Sequence, residues 1–240
     1  MPAEVRVLPT PEAIGEALAD EVVACHGARV DSTRGLFLLG CPGGRSLRTT
    51  YAALARRPRL ARLVVVMMDE YVGAPPDSHY SCARFAREEV AGPLGVPPDR
   101  VWLPDAEHPA AYDERIASRG GIDLFLLASG ASDGHVAFVA PGAPREGRTS
   151  VLEIAESTRL DNLATFPQFG SLAEVPTRGV SVGLGTIAAA RALRLVLHGA
   201  GKRAATRRLL ALDHYDPVWP ASIVHEHPDA LILIDEEAAA

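Results

Sequence analysis

Cysteine is scarce in this 240-residue chain: three residues, Cys25, Cys41 and Cys82, an odd number set far apart. That spacing excludes a disulfide framework and matches no zinc-type ligand pattern. The thiols therefore read as free, in a reducing compartment. No apolar run approaches the roughly 18 residues that a membrane-spanning helix needs. The start of the chain, MPAEVRVLPTPEAIG, carries Glu4 and prolines where a signal peptide has an apolar core. The expected location is the cytoplasm. Basic residues are scattered, and 24 Lys and Arg against 30 Asp and Glu leave a net charge of -6. A nucleic-acid footprint needs them gathered on one face. Neither a nucleic acid nor a membrane is an expected partner, and an anionic ligand has to be held by local groups. There is no internal repeat of about 20 to 50 residues and no low-complexity tract beyond the terminal EEAAA.

What is present is an alternation of short apolar runs and helical patterns. Apolar residues at Ile14, Ala17, Leu18, Val22 and Val23 predict an amphipathic helix over Pro11 to Ala28. Continuous apolar runs predict buried strands at Gly35 to Gly40, Leu63 to Met68, Ile122 to Ala128, Leu193 to His198 and Ala230 to Asp235, with shorter candidates at Val101 to Leu103 and Val180 to Leu184. Helical patterns fall between them at Leu47 to Ala55, Asp77 to Val90, Ala110 to Arg119 and Gly201 to Leu212. Residues 140–172 are the least regular stretch and read as a lid or long loop. Strands that are apolar on both faces and separated by helices imply an α/β fold: an open, doubly wound, mostly parallel sheet with helices on both faces, of modified Rossmann type. A length of 240 residues suits one domain, 1–240. Ligands of such sheets bind beyond the carboxyl ends of the strands, which directs attention to the residues just after each strand.

Three strand ends carry polar clusters. The first is GCPGGRSLRTTYAAL, Gly40 to Leu54. Gly43 and Gly44 permit a tight turn whose amides can face an anion, and Arg45 and Ser46 add a charge and a hydroxyl. A strand-to-helix turn that needs glycine only for its geometry reads the same way, and the spacing is not that of a Walker A loop. The second is MDEYVGAPPDSHY, in which Asp69 and Glu70 end a strand. Neighbours on a strand point to opposite faces, so one carboxylate can face a cleft as a general base while the other is structural. The third is SGASDGHVAF, where Asp133 stands two residues before His135 and can orient its imidazole for acid–base work.

Taken together, MDEYVG, DGHVAF, the segment GAGKRAA with Lys202 and the tail HPDALILIDEEA resemble the glucosamine-6-phosphate deaminase/isomerase family, within a wider group that includes 6-phosphogluconolactonases. The resemblance covers nearly the whole chain; PPDSHY is the segment nearest to the lactonase pattern. It implies an enzyme acting on a small sugar phosphate. His135, oriented by Asp133, would move the proton at the ring oxygen, and Asp69 would carry a proton from C2 to C1. Glu70 would shape the loop. Gly43, Gly44, Arg45, Ser46 and Lys202 would hold the phosphate. No metal or organic cofactor is implied, and a homo-oligomer is left open.

The chain also departs from the family pattern. Ala140 stands where the family has a glutamate that supports the catalytic histidine, and Ala164 where it has an arginine that grips the phosphate. Ala131 replaces a glycine, and the loop between Gly73 and Tyr80 is short. With those changes, hydrolysis of a sugar-phosphate lactone, sugar-phosphate binding without turnover, and an unphosphorylated amino sugar as substrate are the competing readings.

Overall fold

Runs such as FLLGC and LVVVM have no polar side chain to show to water, so each must be covered on both faces. In the computed structural model, which describes residues 2–33 and 35–240, they are strands buried at every position. The elements in chain order are β1 (Glu4–Leu8), α1 (Pro11–Thr33), β2 (Phe37–Cys41), α2 (Arg48–Leu54), β3 (Leu63–Met67), β4 (Asp69–Tyr71), α3 (Cys82–Phe85), α4 (Gly92–Leu94), β5 (Val101–Trp102), α5 (Pro109–Ala117), β6 (Leu124–Ala128), β7 (Ser150–Glu153), α6 (Glu156–Thr165), β8 (Arg178–Ser181), α7 (Leu184–Ala188), β9 (Leu193–Leu197), α8 (Arg203–Leu210), β10 (Ala230–Asp235) and α9 (Glu236–Ala239). A π-helical stretch, Ala86–Ala91, joins α3 to α4.

Seven strands form one sheet in the order β1-β10-β9-β6-β2-β3-β5, and every neighbouring pair is parallel. Alternation along β2 shows how the layers form. Phe37, Leu39 and Cys41 pack with Ile14 and Leu18 of α1, Tyr51 of α2 and Phe85 of α3. Leu38 packs with Tyr112 and Ile116 of α5, Ile187 of α7 and Leu209 of α8. Helices therefore cover both faces, as the sequence predicts. Strand order runs outward in opposite directions from the β2–β6 pair, which makes that pair the topological switch point where a cleft opens.

A second, antiparallel sheet has the order β4-β8-β7, with Asp69 opposite Ser181 and Glu70 opposite Val180. It starts one residue after β3 ends, and the Val182 amide donates to the Met68 carbonyl at 2.8 Å. This small sheet carries the MDEY segment from the rim of the main sheet over the cleft.

Several expectations need correction. Residues 140–172 are not a structureless loop: they hold β7 and α6. Their signal was weak because β7 is half-exposed and Thr158 is the buried residue of α6. The predicted strand Val180 to Leu184 is β8, shifted to Arg178–Ser181, and it joins the antiparallel sheet, while Leu184 opens α7. The predicted helix over Asp77 to Val90 begins at Cys82, where Ser81 caps it by accepting from the Arg84 amide at 3.2 Å. The edge strand β1 was missed because its side chains are almost all exposed.

Gly40 lies opposite Phe125 in the β2–β6 register, and a Cβ there would fall 2.0 Å from the Phe125 ring. Gly40→Ala should therefore destabilise the fold by about 1–3 kcal/mol through overpacking, read as a lower midpoint in urea unfolding.

Candidate active site

A cavity of about 480 Å³ opens at the switch point. Its walls come from the turn after β2, the end of β3, the start of α3, the turn after β6, helix α6 and the segment leading into α8. Gly43, Gly44, Arg45, Ser46, Asp69, His135 and Lys202 all line it. Asp133 stands behind His135, and Glu70 faces away. The sequence-derived clusters thus meet in one place.

Asp69 begins β4 and is 6 % exposed. Burial pushes its carboxyl from 3.8 up to about 7; a hydrogen bond from the Cys82 thiol and the charge of His135 pull it down, and the Glu70 charge adds to the rise. Desolvation penalises the anion because water that would solvate it is excluded. Such a carboxyl is half ionised near neutrality and can both take and return a proton.

Glu70 does something different. Its two oxygens accept from the backbone amides of Tyr71 (2.8 Å), Cys82 (3.0 Å) and Ala83 (2.8 Å), and from the Ser81 hydroxyl (3.0 Å). The amides of Cys82 and Ala83 open α3, where donors have no partner within the helix. Glu70 therefore fastens the start of α3 to β4 and fixes the distance between Asp69 and the wall opposite.

The imidazole of His135 is paired through Nδ1 with Asp133 Oδ1 at 2.7 Å. The same oxygen accepts from the His135 amide at 3.0 Å, and Ser157 of α6 donates to Oδ2. Burial alone would raise Asp133, but these hydrogen bonds and the His135 charge outweigh it and hold the carboxyl well below its usual range. Asp133 therefore stays anionic and keeps Nδ1 as the donor, which leaves Nε2 free to act.

The opposite end of the cavity is cationic. Gly44 sits at φ +84°, a left-handed turn that a side chain would strain, and Arg45 and Ser46 follow it. Lys202 reaches across to the Ser129 carbonyl at 2.6 Å. Its burial lowers it, helped by the charge of Arg45, while Asp161 and Asp133 act against that shift. Lysine and asparagine each occur once in 240 residues, as Lys202 and Asn162, and both line the cavity. Composition thus discards these residue types everywhere except here, a signal that the sequence reading did not use.

Sequence reasoning missed Cys82, Asp161 and the aromatic wall of Tyr71, Tyr80, Phe138 and Phe166. Asp161 accepts from the Ala131 amide at 3.2 Å. Among the described residues, Asp133, His135 and Asp161 are the set whose ligand atoms lie within 4.8 Å of one another, close enough for a metal ion. Ala164 lines the cavity, so the missing arginine leaves open space there. Ala140 does not line it.

A buried carboxylate, a fixed imidazole and a pair of cations at the switch point of a parallel sheet are the layout of an α/β enzyme cleft. The chain belongs to the family of glucosamine-6-phosphate isomerases and 6-phosphogluconolactonases, whose model matches residues 9–233. It is 36% identical to the glucosamine-6-phosphate deaminase of Rhodococcus opacus (strain B4), over 99% of this chain and 92% of that protein. It is 33% identical to that of Shouchella clausii (strain KSM-K16), over 84% of each. Among solved structures, a monomeric glucosamine-6-phosphate deaminase matches with a TM-score of 0.87 at 28% identity over 98% of both chains. The 6-phosphogluconolactonase of Trypanosoma brucei matches at 0.78 and 23% identity, over 99% of this chain and 97% of that one, a likeness of fold alone. No described helix is long and apolar enough to cross a membrane.

Glu70→Ala removes an anionic acceptor from four donors. The expected loss is at least about 2 kcal/mol, given about 1.5–3 kcal/mol for one hydrogen bond to a charged group. Thermal unfolding should show a lower midpoint, with activity falling as α3 loosens.

Proposed function

We propose that this chain is an aldose–ketose isomerising deaminase that converts glucosamine 6-phosphate and water to fructose 6-phosphate and ammonia. The observation that carries the reading is Asp69: a buried carboxyl raised to about 7, in the same cavity as an imidazole fixed by Asp133. The full-length similarity to curated deaminases supports it.

The sugar binds as a ring, with its phosphate against the Gly43–Gly44 turn, Arg45, Ser46 and Lys202. Arg45 takes the place of the arginine that Ala164 lacks. His135 accepts the C1 hydroxyl proton and delivers it to the ring oxygen, so the C1–O5 bond breaks and an aldehyde forms. Asp69 removes the proton from C2 while the substrate's 2-ammonium gives a proton to O1, which leaves a neutral enolamine. Returning that proton from Asp69 to C1 makes a 2-iminium. Water adds at C2, the C–N bond breaks, and ammonia leaves behind the ketone. These proton movements require positioned carboxylate and imidazole groups, and this chain's own residues supply both. Residues 1–240 act as one unit on a small sugar phosphate in the cytoplasm, where three free thiols suit a reducing milieu.

Ammonia release from glucosamine 6-phosphate should fall about 10²- to 10⁴-fold in Asp69→Asn, the usual contribution of general acid–base catalysis, and markedly in His135→Gln. A wild type that hydrolyses 6-phosphogluconolactone but releases no ammonia would sink the deaminase reading and favour the lactonase chemistry of its relatives.

The base works ionised, so kcat/KM should rise with pH through an apparent pKa of about 7 and drop tenfold per unit below it. A limb near pH 4 would show that Asp69 is not the group titrating.

Arg45→Ala should raise KM about 10-fold or more, for the loss of one charged contact at about 1.5–3 kcal/mol, with a smaller change in kcat. An unchanged KM would remove Arg45 from the phosphate site.

A further inference from the structure

The active-site chemistry assigned to Asp69 leaves one neighbouring group without a role. Cys82 is buried at 8 % exposure, forms part of the cavity wall, and places Sγ 3.3 Å from Asp69 Oδ1. Among the described residues it is the only side-chain donor to that carboxylate. We propose that Cys82 is a positioning residue for the Asp69 base: its thiol donates to Oδ1, orients the carboxylate, and leaves Oδ2 to exchange the substrate proton. This inference rests on Asp69 being the base.

The backbone builds this contact. Cys82 is the first residue of α3. Its amide and that of Ala83 are held by Glu70, the neighbour of Asp69 in β4. One residue is therefore tied to both carboxylates, through its amide to Glu70 and through its side chain to Asp69. The Cys82 position is fixed before any substrate arrives.

The protonation states agree with the donor role. Burial, then the charges of Asp69 and Glu70, push the Cys82 thiol well above its ordinary value, so it stays an S–H across the working range. The thiol in turn stabilises the anion of Asp69 and limits how far burial can raise it. The other groups within electrostatic reach of Asp69 come from four elements. They are Tyr51 of α2, Glu70 and Tyr71 of β4, Tyr112 of α5 and His135 of the turn after β6. Burial holds all three phenols above their ordinary value, so they remain neutral. Glu70 opposes ionisation of Asp69, and His135 favours it. Cys82 adds the one hydrogen bond.

The test compares wild type, Cys82→Ala and Cys82→Ser. In Cys82→Ala the acidic limb of kcat/KM should move up by about one unit, an about tenfold loss at low pH that narrows above the limb. Cys82→Ser keeps a donor and should restore the wild-type limb. A merely structural role would lower activity at every pH without moving the limb. In parallel, the infrared S–H stretching band of Cys82 is isolated by difference against Cys82→Ala. It should lie at lower frequency than a free thiol and shift back in Asp69→Ala, which removes the acceptor. An unmoved limb in folded Cys82→Ala, or a Cys82 band that ignores Asp69→Ala, overturns the proposal. If the protein releases no ammonia at all, the deaminase reading has failed, and the infrared band alone still decides whether the thiol binds Asp69.

Discussion

A carboxylate held out of water at the start of β4 sets the terms for everything around it. Raising Asp69 from 3.8 to about 7 means that ionising it in place costs on the order of 4 kcal/mol. Its effect on the fold has a definite sign. Below the unfolded value both states are protonated and Asp69 costs nothing. Between about pH 4 and 7 the unfolded chain ionises first, so this group's contribution to stability declines as pH rises, and the loss is complete above the folded value. The rest of the structure must carry that cost. The double-sided core does so, and the Glu70 clasp on α3 keeps the cover over Asp69 in place.

The two acidic groups of the proposed chemistry sit in opposite environments. Asp133 accepts from an imidazole, an amide and a hydroxyl and stays anionic. Asp69 receives one thiol and is otherwise desolvated. Under the proposed mechanism, two carboxyls driven apart in this way divide the labour of orienting an imidazole and shuttling a proton. At the other end of the cavity the balance is less familiar. Ala164 removes a cation, Arg45 and Lys202 supply two, and Asp161 works partly against them. In the proposed reading, the turn and these two cations grip the phosphate.

Much of this was legible in the sequence, for physical reasons. Strands buried on both faces must be apolar throughout, so β2, β3, β6, β9 and β10 announced themselves. Because a parallel sheet places its ligands at carboxyl ends, the polar clusters after β2, β3 and β6 were natural candidates, and all three line one cavity or support its lining. The split between Asp69 and Glu70 also followed from strand alternation. Elements with little to bury left no such trace. β1 is an exposed edge, and β7 and α6 have too few buried positions to show a period. The contributions of Asp161, Asn162 and Ser157 stayed hidden with them. In the sequence Cys82 is only an isolated thiol, since its contact with Asp69 joins two elements that no local pattern connects.

The most direct test of this account is a titration of Asp69 itself, by carbon-13 NMR of the aspartate carboxyl groups in wild type and in Asp69→Asn. The account predicts one carboxyl resonance that titrates near pH 7 and is absent from the variant. If every aspartate in the folded enzyme titrates in the ordinary carboxylate range, Asp69 is not held out of water, and the proton-shuttle reading of this cleft is wrong.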